Sequence, residues 1–424
     1  MTTRASEAQR AWFLGPRAEN AGEMERMVVE ALRDHVLWRR NFHPEDGVAI
    51  RESDKRADGY LEASGTLRQE LSALLARLKQ DLPFFSGRYI GHMLYEQTLA
   101  AQIGYFAAML YNPNNVSSES SPATTPLELE VAADLARMVG YTPERAWGHL
   151  TSGGTLANFE ALWIARSTHY LPLAVAGAAR ELGVTLDVAL PSGERAPLRD
   201  LDLWRLSNLR PEGALDLLDA FLAAVPDTAA RAALDRHSLS YTGYQDYTLA
   251  LEDTYHDPLP PAVVLVAATA HYSWEKIVRA LGIGASRLRF VAVDRHCRMD
   301  PDALWHDLQE HARTRTPVLA LVSVCGTTEE SAVDRLDQIA AVRDRAAREL
   351  GVTFHLHSDA CYGGYAAAAT WRKDGTRRTA KEIREATGEA WPGPGWLEAM
   401  VALGATDSVS IDPHKLGYIP YAAG

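Results

Sequence analysis

The sequence predicts an α/β fold built around a mostly parallel sheet, and two features of its second half indicate this. Five short apolar runs follow one another from residue 262 onward: AVVLVAAT, RLRFVAVD, VLALVSVCGTT, TFHLHSDA and TDSVSIDP. Between the third and the fourth run, one helical face carries apolar side chains at Leu336, Ile339, Val342, Ala346 and Leu350. Continuous apolar strands that alternate with helices are typical of a parallel sheet covered by helices on both faces.

The first eighty residues are predicted to be helical and too thin to form a core of their own. Apolar residues recur there at helical spacing, first as Met24, Met27, Val28, Leu32 and Val36, and then as Leu67, Leu71, Leu74, Leu75 and Leu78. We therefore expect residues 1–83 to form a helical segment that packs on another domain or on a second subunit. A large α/β domain is expected over residues 84–424, with a polar, mostly helical insertion at about 177–255.

The composition argues against several classes of function. Hydrophobic residues make up 47% of the chain and charged residues 23%, as in ordinary soluble globular proteins. A formal net charge of -12 argues against nucleic acid or an anionic membrane as the main partner. The cysteines, Cys297, Cys325 and Cys361, predict neither a disulfide framework nor a metal site. No apolar run has transmembrane length and no signal core is seen, so a cytoplasmic location is expected.

Polar residues that can take part in chemistry follow several of the predicted strands. His271 comes after the first run, Thr327 and Thr328 after the third, Asp359 after the fourth and Lys415 after the last. Ligands of open α/β sheets gather at the carboxyl ends of the strands. We therefore expect these side chains to converge at one edge of the sheet.

The stretch HLTSGGTLANFEALWIAR, residues 149–166, predicts a phosphate-binding loop. Ser152, Gly153, Gly154 and Thr155 lie just before a predicted helix. Glycines let the backbone approach an anion, and the helix N-terminus offers free N–H groups and a positive dipole end. The loop matches neither the Walker pattern nor GxGxxG, so an ordinary capped loop remains the alternative for this stretch taken alone.

The lysine, the carboxylate, the histidine and the glycine loop together suit one cofactor, pyridoxal 5'-phosphate (PLP). Its aldehyde requires a lysine amine, and its pyridinium nitrogen requires a nearby carboxylate to stay protonated. An imidazole can stack on its flat ring. Each residue taken alone has an ordinary structural explanation, such as a surface lysine or a capping aspartate, but their joint position at the ligand edge favours a cofactor site.

Several motifs resemble those of the group II pyridoxal-phosphate decarboxylases. DPHK is similar to their lysine motif, and HSDACYGG to their aspartate motif, with Cys361 where the family often has alanine. ATAHYSWEKIVRALGIG resembles their histidine segment, and SVCGTTEESAVDRL their GTT strand end, with Ala332 in place of glycine or serine. AAMLYNPNNVSSESSPATTPLELEV, WGHLTSGGTLANFEALW and DPHKLGYIPY resemble the bacterial tyrosine decarboxylase branch. The resemblance runs from about Phe84 to Gly424.

The resemblance implies the PLP-dependent transferase fold (aminotransferase type I) and a role for each matched residue. Lys415 would form the Schiff base, Asp359 would pair with the pyridinium nitrogen, and His271 would stack on the ring and help to orient the substrate carboxylate. Asp412 stands where many relatives have asparagine. Because a carboxylate repels phosphate, Asp412 is expected to face away or to touch the phosphate only through another group. Further cofactor contacts are implied for Ser152, Gly154, Thr155, Thr327, Thr328, Cys361, Ser410 and His414.

The activity that the resemblance implies is α-decarboxylation of an L-amino acid to the amine and carbon dioxide. An aromatic substrate such as tyrosine suits the aromatic residues expected around its side chain, which are Phe84, Phe85, Tyr89, His92, Tyr418 and Tyr421. Plain core or dimer packing is the alternative for these residues. Glutamate or aspartate stays open as substrate, with Arg88 as a candidate partner. A homodimer with active sites at its interface is also expected.

The resemblance further implies structure beyond Gly424, namely another strand, a mobile loop with a proton-donating tyrosine, and a C-terminal α/β domain. The sequence ends before these parts, so the small C-terminal domain is expected to be missing from it. Two other functions are possible for such a chain: a truncated protein that binds PLP without efficient decarboxylation, and a non-catalytic partner of a full-length relative.

Overall fold

The computed structural model describes residues 3–256, 261–388 and 391–424, and the chain divides into two compact units. The first unit comprises the residues up to Pro126 together with Tyr418–Pro420. The second comprises Leu127–Gly417 and Tyr421–Gly424. The division thus falls later than the predicted boundary after residue 83.

Helices dominate the described residues, and the strands are short. The helices are α1 (Thr3–Arg10), α2 (Ala21–Phe42), α3 (Asp58–Leu78), α4 (Leu99–Tyr111), α5 (Thr124–Val139), α6 (Gly154–Leu182), α7 (Leu203–Leu206), α8 (Pro211–Ala224), α9 (Asp227–His237), α10 (Leu239–Thr242), α11 (Tyr244–Tyr255), α12 (Ser273–Ala280), α13 (Pro301–Arg313), α14 (Leu336–Glu349), α15 (Ala380–Thr387) and α16 (Trp396–Val401). The strands are β1 (Asp187–Ala189), β2 (Arg195–Pro197), β3 (Val263–Ala267), β4 (Leu288–Val291), β5 (Val318–Val324), β6 (His355–Asp359) and β7 (Ser408–Ser410). Within the described ranges, no helix is both long and apolar enough to cross a membrane.

The packing of α4 on α2 explains why the first unit extends beyond residue 83. The ring of Tyr111 on α4 meets the ring of His35 on α2 edge-on, with centroids 4.7 Å apart, and lies 5.4 Å from the ring of Trp38. The same unit includes Tyr418, whose carbonyl oxygen accepts a hydrogen bond of 2.9 Å from the backbone N–H of Thr98. These contacts tie the aromatic helix after residue 83 to the helices before it.

The second predicted apolar row lies on α3, and its side chains are exposed in the single chain. Leu67 is 71% exposed and Leu71 is 54% exposed, and no residue of α3 is buried. The row therefore forms no core within its own unit. The expectation that another domain or subunit covers it stays a prediction.

All five predicted apolar runs form strands, and the predicted helix between the third and fourth runs is α14. Strands β3 to β7 form one sheet in the order β4-β3-β5-β6-β7, with every neighbouring pair parallel. The predicted α/β fold is thus confirmed. In the register of the sheet, Asp359 lies opposite Val324 on β5 and Ser410 on β7. The carboxyl ends of these three strands are therefore level with one another.

Both faces of the sheet are covered, as continuous apolar strands require. Along β3, Val264 and Val266 pack into one core with α6 and α12, and Val263, Leu265 and Ala267 pack into a second core with α13 and α14. Every residue of β3 is buried. This burial on both faces fixes the sheet between two helical layers and holds its carboxyl edge in place.

The segment at about 177–255 differs from its predicted description in two respects. Helix α6 continues to Leu182, and the antiparallel hairpin of β1 and β2 follows it. The segment is also less polar in effect than its composition suggests, because Leu206, Leu217 and Phe221 are at most 3% exposed and join the core on α6. A minority of apolar residues at helical spacing is enough to bury one face of α8 against α6.

Candidate active site

A cavity of about 560 Å³ lies where β3, β5, β6 and β7 end and α6 begins. All of its lining residues belong to the second unit. The predicted site residues on its wall are Ser152, Gly154, Thr155, His271, Thr328, Asp359, Cys361, His414, Lys415 and Tyr421. The cavity therefore brings together the lysine, the carboxylate, the histidine and the glycine loop.

The N-terminus of α6 forms one wall of this cavity. Gly153 occupies the N-cap position with a φ of +150° and supplies no side-chain cap to the first turn. A Cβ atom on Gly154 would run into the Sγ of Cys361 and would lie 2.8 Å from Oδ2 of Asp412. Glycine at position 154 thus lets Cys361 and Asp412 approach the first turn of α6, where N–H groups and the positive dipole end favour an anion.

Asp359 ends β6 and is only 5% exposed. Its Oδ2 accepts hydrogen bonds from the Nδ2 of Asn158 at 2.8 Å and from the indole Nε1 of Trp274 at 3.1 Å. Its Oδ1 receives a longer contact, at 3.4 Å, from the backbone N–H of Cys361. These donors take the place of water at a buried carboxylate and fix its plane at the edge of the sheet.

His271 follows β3 and lies half-buried on the cavity wall. The backbone N–H of Ser273 donates to its Nδ1 at 3.2 Å, and the Ser273 hydroxyl lies 2.8 Å from the same atom. Burial lowers the pKa of His271, and the charge of Lys415 adds to this effect, although Asp359 opposes it. The imidazole is therefore neutral at neutral pH, with its proton on Nε2.

Lys415 and Asp412 form an ion pair inside the cavity. The Nζ of Lys415 lies 2.9 Å from Oδ2 of Asp412, a side chain that is 3% exposed. Burial opposes the charge of the lysine, but the Asp412 carboxylate outweighs this effect and raises the pKa of Lys415. Asp412 does not face away, since its carboxylate lines the cavity and pairs with the ammonium group of Lys415 three residues later. The other expectation, that Asp412 touches a phosphate only through another group, stays a prediction.

His414 also lies on the wall, next to the closing residues of the chain. Its Nδ1 donates to the carbonyl oxygen of Ala423 at 2.5 Å, and its ring lies 4.4 Å from the ring of Tyr421. Its Nε2 is 3.8 Å from Oδ2 of Asp412, which is too far for a hydrogen bond. The Nε2 edge of His414 is thus the one turned toward the Asp412 side of the cavity.

Two of the predicted cofactor residues are not on the cavity wall. Ser410 points its hydroxyl at Oδ1 of Asn158, at 2.5 Å. Thr327 lies within the turn after β5, where its Oγ1 accepts from the backbone N–H of Ala332 at 2.9 Å and contacts Glu330 at 3.0 Å. Their positions correct the prediction: Thr328, not Thr327, lines the cavity, and Ser410 supports Asn158 beneath it.

Several residues of the site were not predicted from the sequence. On the cavity wall they include Asn158 and Phe159 of α6 and Tyr272 and Lys276, which follow β3. Trp274 does not line the cavity and contacts the site through Asp359. The helical spacing could have identified Asn158, since a residue four positions after Gly154 lies on the same face of α6. The ring of Tyr272 packs on His271 at 4.2 Å, and the Nζ of Lys276 lies 4.8 Å from the centre of the Tyr272 ring.

The predicted substrate-side residues divide between the two units. Tyr421 lies on the cavity wall. The others belong to the first unit, and they are Phe84, Phe85, Tyr89, His92 and Tyr418. Their part in a substrate pocket stays a prediction.

Comparison with known proteins gives matches that agree with this site. The pyridoxal-dependent decarboxylase conserved domain matches residues 252–380, which include His271, Thr328 and Asp359. An L-tyrosine decarboxylase of Levilactobacillus brevis is 34% identical over 98% of this chain and 62% of its own length. An L-tyrosine decarboxylase of Enterococcus faecium is 34% identical over 98% of this chain and 64% of its own length. The chain is thus similar to pyridoxal-dependent decarboxylases over nearly its whole length.

A solved structure supports the fold of this chain. The glutamate decarboxylase domain of a diaminobutyrate-pyruvate transaminase and L-2,4-diaminobutyrate decarboxylase from Vibrio parahaemolyticus superposes with a TM-score of 0.55 at 16% identity. The superposition covers 96% of this chain and 66% of that chain. At this identity the likeness shows the fold alone. The chain spans less than two thirds of the length of the two curated relatives.

The residues of the cavity fit the family's cofactor, PLP, with one exception. Lys415 supplies an amine, Asp359 a buried carboxylate and His271 a neutral flat ring, and Gly154 leaves a space that a Cβ atom would fill. The exception is Asp412, whose carboxylate occupies that space and whose Oδ1 has no hydrogen-bond partner among the described residues. Because burial raises the pKa of Asp412, this carboxyl can take up a proton when a phosphate approaches.

The space in front of α6 leads to a prediction for Gly154→Ala. The added Cβ atom would push against Cys361 and Asp412 and fill the space that holds an anion, so we expect the affinity for PLP to fall about tenfold or more. Titration of the apoprotein with PLP, followed by absorbance, measures this. Gly213→Ala on α8 is the control, because a Cβ atom there meets nothing within 4 Å. Equal affinities for the two variants would contradict a phosphate site at α6.

The Lys415–Asp412 pair leads to a prediction for the pH dependence of cofactor loading. Lys415 must lose its proton before its amine can attack the PLP aldehyde, and Asp412 raises the pKa of that amine. Asp412→Asn should therefore move the pH midpoint of the loading rate downward, as stopped-flow absorbance would show. Asp219→Asn, at an exposed position on α8, should leave the midpoint unchanged. An upward shift in Asp412→Asn would be inconsistent with the ion pair.

Proposed function

We propose that this chain carries out PLP-dependent α-decarboxylation of an aromatic L-amino acid and releases the amine and carbon dioxide. The observation that carries the proposal is the position of Lys415, Asp359 and His271 on one cavity in front of the glycine loop of α6. Similarity to two L-tyrosine decarboxylases supports an aromatic substrate. The aromatic residues on the cavity wall agree with this choice.

Lys415, Asp359 and His271 would each have a separate role at the cofactor. PLP, when bound, supplies an electron sink for breaking a bond at the α-carbon of the amino acid. Lys415 lines the cavity, and its side-chain amine would hold PLP through the aldehyde carbon of the cofactor. Asp359 would keep the proton on the ring nitrogen through its negative charge, and the neutral imidazole of His271 would pack on the ring. The N–H groups at the start of α6 would bind the phosphate.

The Nε2–H group of His271 is available to contact the substrate. Its Nδ1 is occupied by Ser273, so the proton on Nε2 is the donor that remains. Decarboxylation requires the α-carboxylate to stand perpendicular to the cofactor ring, and a single donor fixes one of its oxygens. We infer that the Nε2–H of His271 orients the substrate carboxylate, which lowers the barrier through positioning rather than through proton transfer.

The cavity wall favours an aromatic side chain, although one residue supports an acidic one. Phe159, Tyr272 and Tyr421 present aromatic rings to the cavity, and such walls suit a tyrosine-like substrate. Lys276 lies on the same wall and is a cation that could pair with a glutamate or aspartate side chain. Its position over the Tyr272 ring places that charge among aromatic groups, and for this reason we rank the acidic substrate second.

An amino-acid panel tests the proposed function. The holoprotein should release amine and carbon dioxide from tyrosine or dopa at least about tenfold faster, as kcat/KM, than from glutamate or aspartate. Phenylalanine and tryptophan complete the panel. Faster turnover of the acidic substrates would favour the second candidate, and a bound-PLP spectrum without release of any amine would refute the decarboxylase function for this chain.

Lys415→Ala is the matched control for this panel. The variant should lose turnover while keeping its fold, because Lys415 lies on a cavity wall and its removal leaves the core intact. Circular dichroism and thermal unfolding check the fold. Near-normal turnover in Lys415→Ala would mean that another amine holds the cofactor.

We further propose that two copies of the chain associate through α3. Leu71 and Leu75 are 54% and 50% exposed there, and a row of exposed leucines is uncommon on a monomeric protein. Sedimentation velocity should show a dimer, and Leu71→Lys with Leu75→Lys should shift it toward the monomer. Gln69→Lys, at an exposed position on α3, should leave the dimer unchanged. A wild-type monomer would contradict the proposal of a dimer.

The cytoplasmic location of the protein stays a prediction.

A further inference from the structure

A chain of hydrogen bonds, here called the relay, runs under the cavity and ends on Asp359. It consists of His355, Ser408, His357, Asn158 and Asp359. Both histidines, Asn158 and Asp359 are at most 6% exposed. Ser408, His357 and Asn158, the middle members of the relay, have no role in the proposed chemistry. Each of them nevertheless forms hydrogen bonds with its neighbours in the relay.

The direction of each hydrogen bond in the relay follows from the chemistry of its atoms. Oδ1 of Asn158 can only accept, so the Nε2 of His357, 3.0 Å away, must donate to it. The Nδ1 of His357 must then accept from the Ser408 hydroxyl at 2.8 Å. The Nε2 of His355, 2.7 Å from the same hydroxyl, must donate. All donors thus point toward Asp359, and such aligned bonds strengthen one another.

The relay leaves the Asn158 side chain only one orientation. Its Oδ1 accepts from His357 and from the Ser410 hydroxyl at 2.5 Å, and its Nδ2 donates to Asp359. A flip of the amide would set its oxygen against the Asp359 carboxylate and its NH₂ group against the His357 donor. Both contacts would then be repulsive at a fully buried site, so the amide is locked.

Both histidines of the relay are neutral, which the relay requires. Burial lowers the pKa of His357 to about 4, and burial also lowers the pKa of His355. A neutral imidazole has one donor and one acceptor nitrogen, and each ring nitrogen of His357 has the partner that this tautomer needs.

Trp274 supplies the second donor to the same carboxylate oxygen. Its indole is 1% exposed, and its Nε1 can only donate. Oδ2 of Asp359 is therefore occupied by two neutral donors, at 2.8 Å and 3.1 Å. Oδ1 has only the contact of 3.4 Å from the Cys361 backbone among the described residues, and so keeps lone pairs for another partner.

We propose that Asn158 and Trp274 are positioning residues for the cofactor's ring nitrogen. They bind Oδ2 of Asp359, so that Oδ1 is the oxygen presented to the ring N–H, and they satisfy the buried carboxylate without adding a positive charge. The inference rests on the proposed function insofar as it assumes that PLP occupies the cavity. The relay holds Asn158 in the required orientation, because His357 and the Ser410 hydroxyl both donate to its Oδ1.

Two variants test this in the holoprotein loaded with PLP that carries ¹⁵N at its ring nitrogen. In Asn158→Asp, a second carboxylate would face Asp359 and the two would share a proton, which weakens the hold on the ring proton. We expect kcat to fall about tenfold to a hundredfold with KM changed less than about twofold. The ¹⁵N shift should show loss of the ring proton at a lower pH than in the wild type. Trp274→Phe keeps an aromatic ring, and its kcat should fall about tenfold.

The outcomes separate this inference from the proposed function. Trp163→Phe, at an exposed position on α6, is the control and should match the wild type in both readouts. If Asn158→Asp fails to fold, Trp274→Phe decides alone. Wild-type ring protonation and kcat in Trp274→Phe and Asn158→Asp would overturn the inference. If the wild type binds PLP but releases no amine, the proposed function fails while the ¹⁵N comparison still decides this inference. A crystal structure without cofactor in which Nδ2 of Asn158 points away from Asp359 would overturn it without any activity measurement.

Discussion

The arrangement of the whole site depends on one buried carboxylate, that of Asp359 at the end of β6. A carboxylate that is 5% exposed requires hydrogen-bond donors in place of water, and it finds them on two different helices. Asn158 comes from α6 and Trp274 from α12, and both helices pack on the same face of the sheet. The parallel sheet makes this possible, because the register that sets Asp359 level with Ser410 also brings the end of β6 next to the start of α6. The packing of α6 and α12 on the sheet therefore also positions the two donors to Asp359.

A second charged group imposes an opposing constraint on the cavity. The Asp412 carboxylate lies where an anion would be bound at α6 and is held there by Lys415 at 2.9 Å. The pair is self-consistent in the absence of a phosphate, since each group balances the buried charge of the other. An incoming phosphate must compete with Asp412 for the positive dipole end of α6 and for Lys415. Because Lys415 loses its charge when it reacts as an amine, the carboxylate also loses its partner at that step. Uptake of a proton by Asp412 then becomes the least costly way to keep it buried.

The sequence was sufficient to predict those parts of the fold and of the site that depend on the order of strands and helices along the chain. Apolar runs are strands wherever both faces are covered, and Lys415, Asp359 and His271 each follow one, so their meeting at one edge was predictable. Ser410 was misplaced because chain order fixes its level in the sheet but not the partner toward which its hydroxyl points, which is Asn158. Asn158 itself was missed because an uncharged amide inside a helix has no pattern of its own. Spacing along α6 places Asn158 on the same face as Gly154, but its partners on β6 and β7 cannot be read from that spacing.

The uncharged nature of the groups around Oδ2 of Asp359 has a physical reason. An arginine or lysine would also satisfy that oxygen, but its positive charge would cancel the field that the carboxylate exerts on a ring nitrogen. Amide and indole donors stabilise the ionised carboxylate and leave its net charge in place. The same argument applies to His357, which is linked to Asp359 through Asn158. A protonated His357 would place a positive charge close to the Asp359 carboxylate. Its burial lowers its pKa to about 4 and so prevents this at neutral pH. Burial of the relay thus keeps a positive charge away from the carboxylate of Asp359 on the side of His357.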